Sequence, residues 1–385
     1  MNRPHANGPR IALACGGTGG HLFPGLAVAG QLARRGCDVI LLISAKEVDQ
    51  QGIRQAPEFE VHTLPAVGLT RGRAWAFFSA FAKSYRASLA LFRSRPPQAA
   101  LAMGGFTSAP PLLAARRCGA RTFLHESNAI PGRANRWLSW IITRAFVGFP
   151  QAAARLHTKN VIVTGTPVRP QFQPLDAAAC RQALGLAAER RVVLVMGGSQ
   201  GAAGINELVA RALPDLASRV PQWQWIHLTG ASDAAELSKT YSQLGFKALV
   251  VPFLDRMELA MGAADAAVSR AGASSLAELA AMRLPAVLIP YPSATDNHQF
   301  HNARAFEQSG AARLLDQSQA TPGALVGLLD QLMGQNDAGG SLRAALAAWH
   351  APQAAERVTE MILGEIAGST ALSDSPTALV PRRCL

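Results

Sequence analysis

The stretch Ser269–Asn302, S-R-A-G-A-S-S-L-A-E-L-A-A-M-R-L-P-A-V-L-I-P-Y-P-S-A-T-D-N-H-Q-F-H-N, decides the fold. An apolar run, Ala264 to Val268, leads into Gly272 and reads as a buried strand. Ser274 to Arg283 reads as a short helix and Pro285 to Pro290 as a second buried strand. This is the strand, helix, strand unit of a doubly wound α/β sheet, whose ligands bind outside the carboxyl ends of the strands. Gly272 lets the backbone approach a ligand closely, and the first-turn N–H groups near Ser274 and Ser275 lack helical partners, which favours a diphosphate there. Glu278, about one turn further in, is placed to accept hydrogen bonds from the vicinal hydroxyls of a ribose. Asp296, His298, Gln299 and Asn302 then read as a polar loop suited to a sugar with several hydroxyls. A capped helix with a solvated loop is the plainer reading of the same residues; cap, Glu278 and loop together weigh against it.

Three further glycine loops precede this one at strand ends, two of them running into helices. Arg10 to Cys15 runs into Gly16-Gly17-Thr18-Gly19-Gly20-His21 and a helix from Pro24 to Arg35; R-V-V-L-V-M from Arg191 runs into Gly197-Gly198-Ser199 and a helix from about Ile205. The spacing of the first loop is wrong for a dinucleotide fingerprint, and no acidic residue ends the strand Val39 to Ser44. Its free N–H groups suit phosphate instead, and His21 beside them is a candidate proton acceptor. Gly104-Gly105 and His125-Glu126-Ser127-Asn128 close two more strands. The acids Asp38, Glu47, Asp49, Glu58 and Glu60 are expected at surface turns or strand starts. That leaves Glu126 as the carboxylate expected in the cleft, to orient His21, to act as a base, or to serve as a buried structural group. Phe253-Leu254 ends a strand where a flat base can stack.

With 385 residues, 49% of them apolar, the chain suits two domains. The break falls at Gly165-Thr166-Pro167-Val168-Arg169-Pro170, giving lobes 1–168 and 169–367. The last helix is a candidate to cross back to the first lobe, and 368–385 is expected to be a disordered tail. Five widely spaced cysteines with no C-x-x-C pair argue against a disulfide framework or zinc ribbon and for a reducing compartment. No segment offers about 18 uninterrupted apolar residues, so a soluble or peripheral protein is expected. The net charge of +12 is uneven: Met1 to Val168 carries 20 Lys and Arg against 6 Asp and Glu, the remainder 17 against 19. Without a recognition motif for nucleic acid, an anionic membrane face is the better partner for the basic lobe. In Arg71 to Arg95, Trp75, Phe78, Phe81, Tyr85, Leu89 and Phe92 form one apolar stripe flanked by arginines. It is expected to pack on the core, with part available to a lipid interface.

The motifs G-G-T-G-G-H-L-F-P-G, M-G-G-F, H-E-S-N, G-T-P-V-R, G-G-S-Q-G-A and S-R-A-G-A-S-S-L-A-E, in this order between residues 16 and 302, resemble the MurG family of glycosyltransferases. The resemblance implies two Rossmann-like lobes facing across a cleft (the GT-B architecture) and a peripheral-membrane enzyme at the cytoplasmic face. It implies inverting transfer of N-acetylglucosamine from UDP-N-acetylglucosamine to undecaprenyl-diphospho-muramoylpentapeptide (lipid I); no cofactor is expected, and with no D-x-D pair in the chain a metal-diphosphate clamp is not expected. It implies that Thr18, Gly19, Gly20, Asn128, Arg169, Ser199, Leu254, Ala273, Ser274, Ser275, Leu276, Ala277, Glu278 and Gln299 hold the donor, with Asn302 nearby. Gly16, Gly17, Gly104 and Gly105 are then left for the acceptor's diphosphate, and His21 and Glu126 for proton transfer. The chain departs from the family at Ser127, Thr166, Asn297 and His298, which bears on details of the sugar loop. A UDP-N-acetylglucosamine 2-epimerase, a diacylglycerol glycosyltransferase and a non-catalytic nucleotide-sugar sensor are the rival readings.

Overall fold

The computed structural model describes residues 8–54, 56–65, 74–198, 203–230, 234–334 and 338–373. Among the described residues the first sheet comprises β1 (Arg10–Ala14), β2 (Asp38–Ser44), β3 (Glu60–Leu64), β4 (Ala99–Ala102), β5 (Arg121–Glu126), β6 (Arg144–Val147) and β7 (Val161–Val163), in the order β3-β2-β1-β4-β5-β6-β7. The second comprises β8 (Val192–Met196), β9 (Gln224–Leu228), β10 (Lys247–Val251), β11 (Ala266–Ser269), β12 (Ala286–Leu288) and β13 (Arg313–Leu314), in the order β10-β9-β8-β11-β12-β13. Every pairing is parallel. Helices cover both faces, so central strands are apolar throughout rather than alternating; β8, V-V-L-V-M, is buried at every position. In both sheets the strand order reverses beside the first strand, between β1 and β4 and between β8 and β11, and a crevice opens at the carboxyl ends there.

Three helices of the first lobe position the site: α1 (Gly19–Arg34), α2 (Glu47–Ile53) and α3 (Ala74–Ser94). α1 begins five residues ahead of the expected Pro24, which lies inside it. Proline has no N–H, so the carbonyl of Gly20, four residues earlier, has no donor within its own helix. α3 divides its apolar stripe between the core and the surface. Phe92 is fully buried and Phe81, Tyr85 and Leu89 pack on the core, whereas Trp75 and Phe78 stand 86% and 62% exposed at the other end. The small buried faces of Ser84 and Ser88 let α3 lie against α4 (Ala109–Arg117).

Short α5 (Arg133–Leu138) follows β5. In the second lobe α6 (Ala203–Arg219) follows β8, α7 (Ala273–Met282) follows β11, and α8 (His298–Gln308) follows β12. The stretch expected as a polar loop is shorter than its reading: it ends at Asn297, and His298, Gln299 and Asn302 lie on α8. Asp296 and Asn297 make the corner with φ of 51° each, a left-handed conformation that short polar side chains tolerate. The last helix, α9 (Ala354–Ser373), returns to the first lobe, where Val358 and Ile362 enter the core beside α1. It carries the chain in helix past Gly368, where a disordered tail was expected; residues 374–385 lie outside the described residues.

Candidate active site

Both switch points open into one cleft, and the N-terminus of α1 faces that of α7 across it. The Ser274 hydroxyl donates to the Gly20 carbonyl at 3.0 Å, filling the acceptor that Pro24 leaves unused. Two helix N-termini turned toward one space make it attractive to a diphosphate.

On the first-lobe side, β1 ends in Gly16-Gly17, with Gly17 at φ 115°, and Thr18 caps α1. The Thr18 hydroxyl meets His21 Nδ1 at 3.2 Å, and the His21 N–H donates to the Thr18 carbonyl at 3.0 Å. The imidazole lies against Gly104 and Gly105, both at positive φ; a Cβ on Gly104 would stand 2.8 Å from the ring. Both glycines therefore seat His21, beside the anion role expected of them. Gly17 is removed from the anion cradle, because its N–H is taken by the Asp49 carboxylate at 2.6 Å. Burial pushes His21 down to about 4, Asp49 acts in the opposite sense, and His298, Lys46 and His125 add to the lowering. The ring is therefore neutral near pH 7 and able to take a proton.

Glu126 is buried and accepts from the Asn128 N–H (2.8 Å) and side-chain amide (3.1 Å), the Gly132 N–H (2.9 Å) and Asn135 Nδ2 (2.9 Å). Burial raises its pKa and these donors draw it back. So saturated a carboxylate pins the loop after β5; no hydrogen bond joins it to His21 among the described residues. Asn128, held by Glu126, accepts from Asn302 Nδ2 at 3.0 Å, while Asn302 Oδ1 takes the Ala129 N–H at 2.8 Å and Nδ2 also reaches the Ala271 carbonyl. Asn302 is thus a buried stitch between lobes, its amide consumed by protein.

On the second-lobe side, Glu278 lies 3.4 Å from the Arg169 guanidinium, which stacks over Phe23 of α1 at 4.1 Å and Phe172 at 4.9 Å. Burial raises the Glu278 pKa and Arg169 opposes it. The groups read as diphosphate and ribose ligands pair with each other across the junction of the lobes. Ala273 and Leu276 are buried in the core, so they offer a ligand backbone alone, whereas Ser274, Ser275 and Ala277 are partly exposed. Gln299 Oε1 accepts from the N–H groups of Ala271 (3.2 Å) and Tyr291 (3.0 Å), tying α8 to the strand ends. Leu254 is partly buried beside the exposed ring of Phe253. Ser199 lies outside the described residues.

Three features had escaped the sequence reading. Asp49 is fully buried rather than at a surface turn. Arg133 and Arg136 of α5 reach across to Asp296 at 3.3 and 3.1 Å. Phe23 seats Arg169. Phe23 alone carried a local signal, standing two residues beyond His21 in the same glycine-loop motif.

Residues 11–147 match the model of the glycosyltransferase family 28 N-terminal domain and residues 192–358 that of its C-terminal domain. The chain is 37% identical over 361 residues to the UDP-N-acetylglucosamine--N-acetylmuramyl-(pentapeptide) pyrophosphoryl-undecaprenol N-acetylglucosamine transferase of Methylococcus capsulatus, covering 92% of this chain and 98% of that one. It is 34% identical over 364 residues to the protein of the same name from Desulforudis audaxviator, covering 92% and 97%. The crystal structure of Acinetobacter baumannii MurG superposes with a TM-score of 0.72 at 26% identity, covering 93% of this chain and all of that one. A UDP-N-acetylglucosamine 2-epimerase shares the fold, with a TM-score of 0.67 at 13% identity.

Proposed function

We propose, from the premise that the chain belongs to glycosyltransferase family 28 and to the MurG enzymes within it, that it transfers N-acetylglucosamine from UDP-N-acetylglucosamine to the muramoyl 4-hydroxyl of lipid I. The product is lipid II, formed with inversion at the anomeric carbon. One observation carries the reading at the level of the site: the His21 loop and the Ser274–Glu278 turn meet across the cleft through the Ser274–Gly20 hydrogen bond, so donor and acceptor halves are already apposed.

In this reading His21 takes the proton of the acceptor hydroxyl as its oxygen attacks the anomeric carbon, and UDP departs with the electron pair of the broken bond. Arg169 and the facing N-termini of α1 and α7 stabilise the charge gathering on the diphosphate. Glu278 leaves Arg169 to receive the ribose hydroxyls.

No helix of the described residues is long and apolar enough to cross a membrane. The acceptor is tethered in the bilayer by its prenyl chain, and exposed Trp75 and Phe78 on α3, with Trp137 and Trp140 at α5, sit on the lobe that holds the positive charge. The exposed rings and the charge support peripheral docking of that lobe on the anionic cytoplasmic face.

The test is UDP release from labelled UDP-N-acetylglucosamine with and without a lipid I analogue. Release that requires the analogue supports the transferase. Turnover of donor to its 2-epimer without acceptor would establish the epimerase, and saturable binding without product the sensor.

A further inference from the structure

Asp49 is a second carboxylate at this end of the first sheet, and the scheme above does not use it. It lies in the first turn of α2, just after β2, and is fully buried. Its Oδ2 accepts from the Gly17 N–H at 2.6 Å, the Ser44 N–H at 3.1 Å and the Ser44 hydroxyl at 2.5 Å. Its Oδ1 is buried with no hydrogen-bond partner among the described residues. Glu126, equally buried in the same lobe, has each oxygen met by two donors. A turn lock would be cheaper with a neutral amide, because a buried charge left partly unmatched is destabilising. The unmatched charge lies where the site has use for it. Gly17 leads directly to Thr18, whose hydroxyl holds His21 Nδ1, and Asp49 favours the protonated form of that ring.

We propose that Asp49 is a positioning residue for the transfer step: its carboxylate locks the Gly16-Gly17 turn that carries Thr18 and His21, and its unmatched charge steadies the imidazolium that forms there. The inference rests on the transferase reading. The acceptor oxygen bonds to the anomeric carbon as the bond from that carbon to the phosphate oxygen breaks. The electron pair leaves on UDP, and the proton ends on His21. Positive charge thus appears where Lys46, before α2, His125 of β5 and His298 of α8 all disfavour it. Asp49 opposes all three. Lys46 belongs to the same arrangement, its ammonium donating to the Gly17 carbonyl at 2.9 Å from the outside.

Asp49→Asn retains the shape and an acceptor for Gly17 but removes the charge. Turnover with the lipid I analogue should fall about ten- to a hundredfold. The acid limb of the turnover profile should move to lower pH, since His21 then loses its proton more readily, while the donor Kd stays within about twofold. Asp49→Glu, which keeps the charge, should leave the limb near its wild-type position even where turnover drops. An Asp49→Asn variant with wild-type rate and limb overturns the proposal, and so does one whose rate falls with the limb unmoved, since that is the mark of a turn lock alone. If Asp49→Asn does not fold, Lys46→Gln at the exposed end of the same loop should move the limb to higher pH; an unmoved limb overturns the proposal equally. Absence of acceptor-dependent UDP release by the wild type at every pH removes the transferase reading and this inference with it, an outcome distinct from the others.

Discussion

His21 and Glu278 were legible in the sequence because each stands at a fixed offset from a glycine that ends a strand, and that geometry is local. Asp49 and Glu126 were not, because what decides their roles is the donors folded around them. Asp49 looks like any polar residue of a short surface helix until β2 carries it beneath the β1 loop. The sequence leaves Glu126 open between a partner of His21, a base and a buried structural group, and only the four donors from residues 128 to 135 weigh for the last. His21→Ala should lower turnover by about two orders of magnitude or more while leaving donor affinity nearly intact. An alanine variant with wild-type turnover would remove His21 from the chemistry. With the imidazole held near 4 by burial, the basic form persists as pH falls through the ordinary histidine range. Turnover should therefore hold through pH 6 and be lost toward pH 4; a limb centred at 6.5 would place the ring in water.

At the scale of elements, α1 begins earlier than the sequence suggests. Proline is most at home in the first turn of a helix, yet α1 begins at Gly19, ahead of the expected Pro24, and accepts that residue at the cost of one internal hydrogen bond. That sacrifice exposes the Gly20 carbonyl to Ser274 of the other lobe. Pro24→Ala would restore an N–H directed at the same carbonyl and set it in competition with Ser274. A hydrogen bond of this kind contributes about 1 kcal/mol, so the donor KM should rise about fivefold without loss of thermal stability. An unchanged KM would show that the interlobe bond has no bearing on donor capture. The α8 corner was missed for the converse reason: Asp296 was read with the polar sugar loop, whereas its left-handed backbone, with that of Asn297, makes the turn itself.

For the whole molecule, the two lobes were visible because a buried strand running into glycines occurs once near each lobe's start. What the pattern could not supply was distance: α9 is amphipathic wherever it packs, and its return to the first lobe depends on the length of chain crossing the surface. The uneven charge and the exposed end of α3 together predict membrane behaviour. Replacing both Trp75 and Phe78 by Ser should weaken binding to vesicles containing anionic lipid by about tenfold or more, at unchanged thermal stability, because neither ring contributes much to the core. Undiminished co-sedimentation would place the lipid contact elsewhere.

In the transferase reading, the Arg169–Glu278 pair makes donor binding selective. Inorganic pyrophosphate would draw the guanidinium from Glu278 and leave the buried carboxylate without that cation, whereas uridine would engage the carboxylate alone. In that reading an intact nucleotide would engage both partners at once. Titrated separately, the fragments should bind so feebly that the affinity of UDP exceeds the product of theirs, which shields the enzyme from the abundant free phosphates of a living cell; fragment affinities that account for all of UDP's would show that the pair offers no such filter.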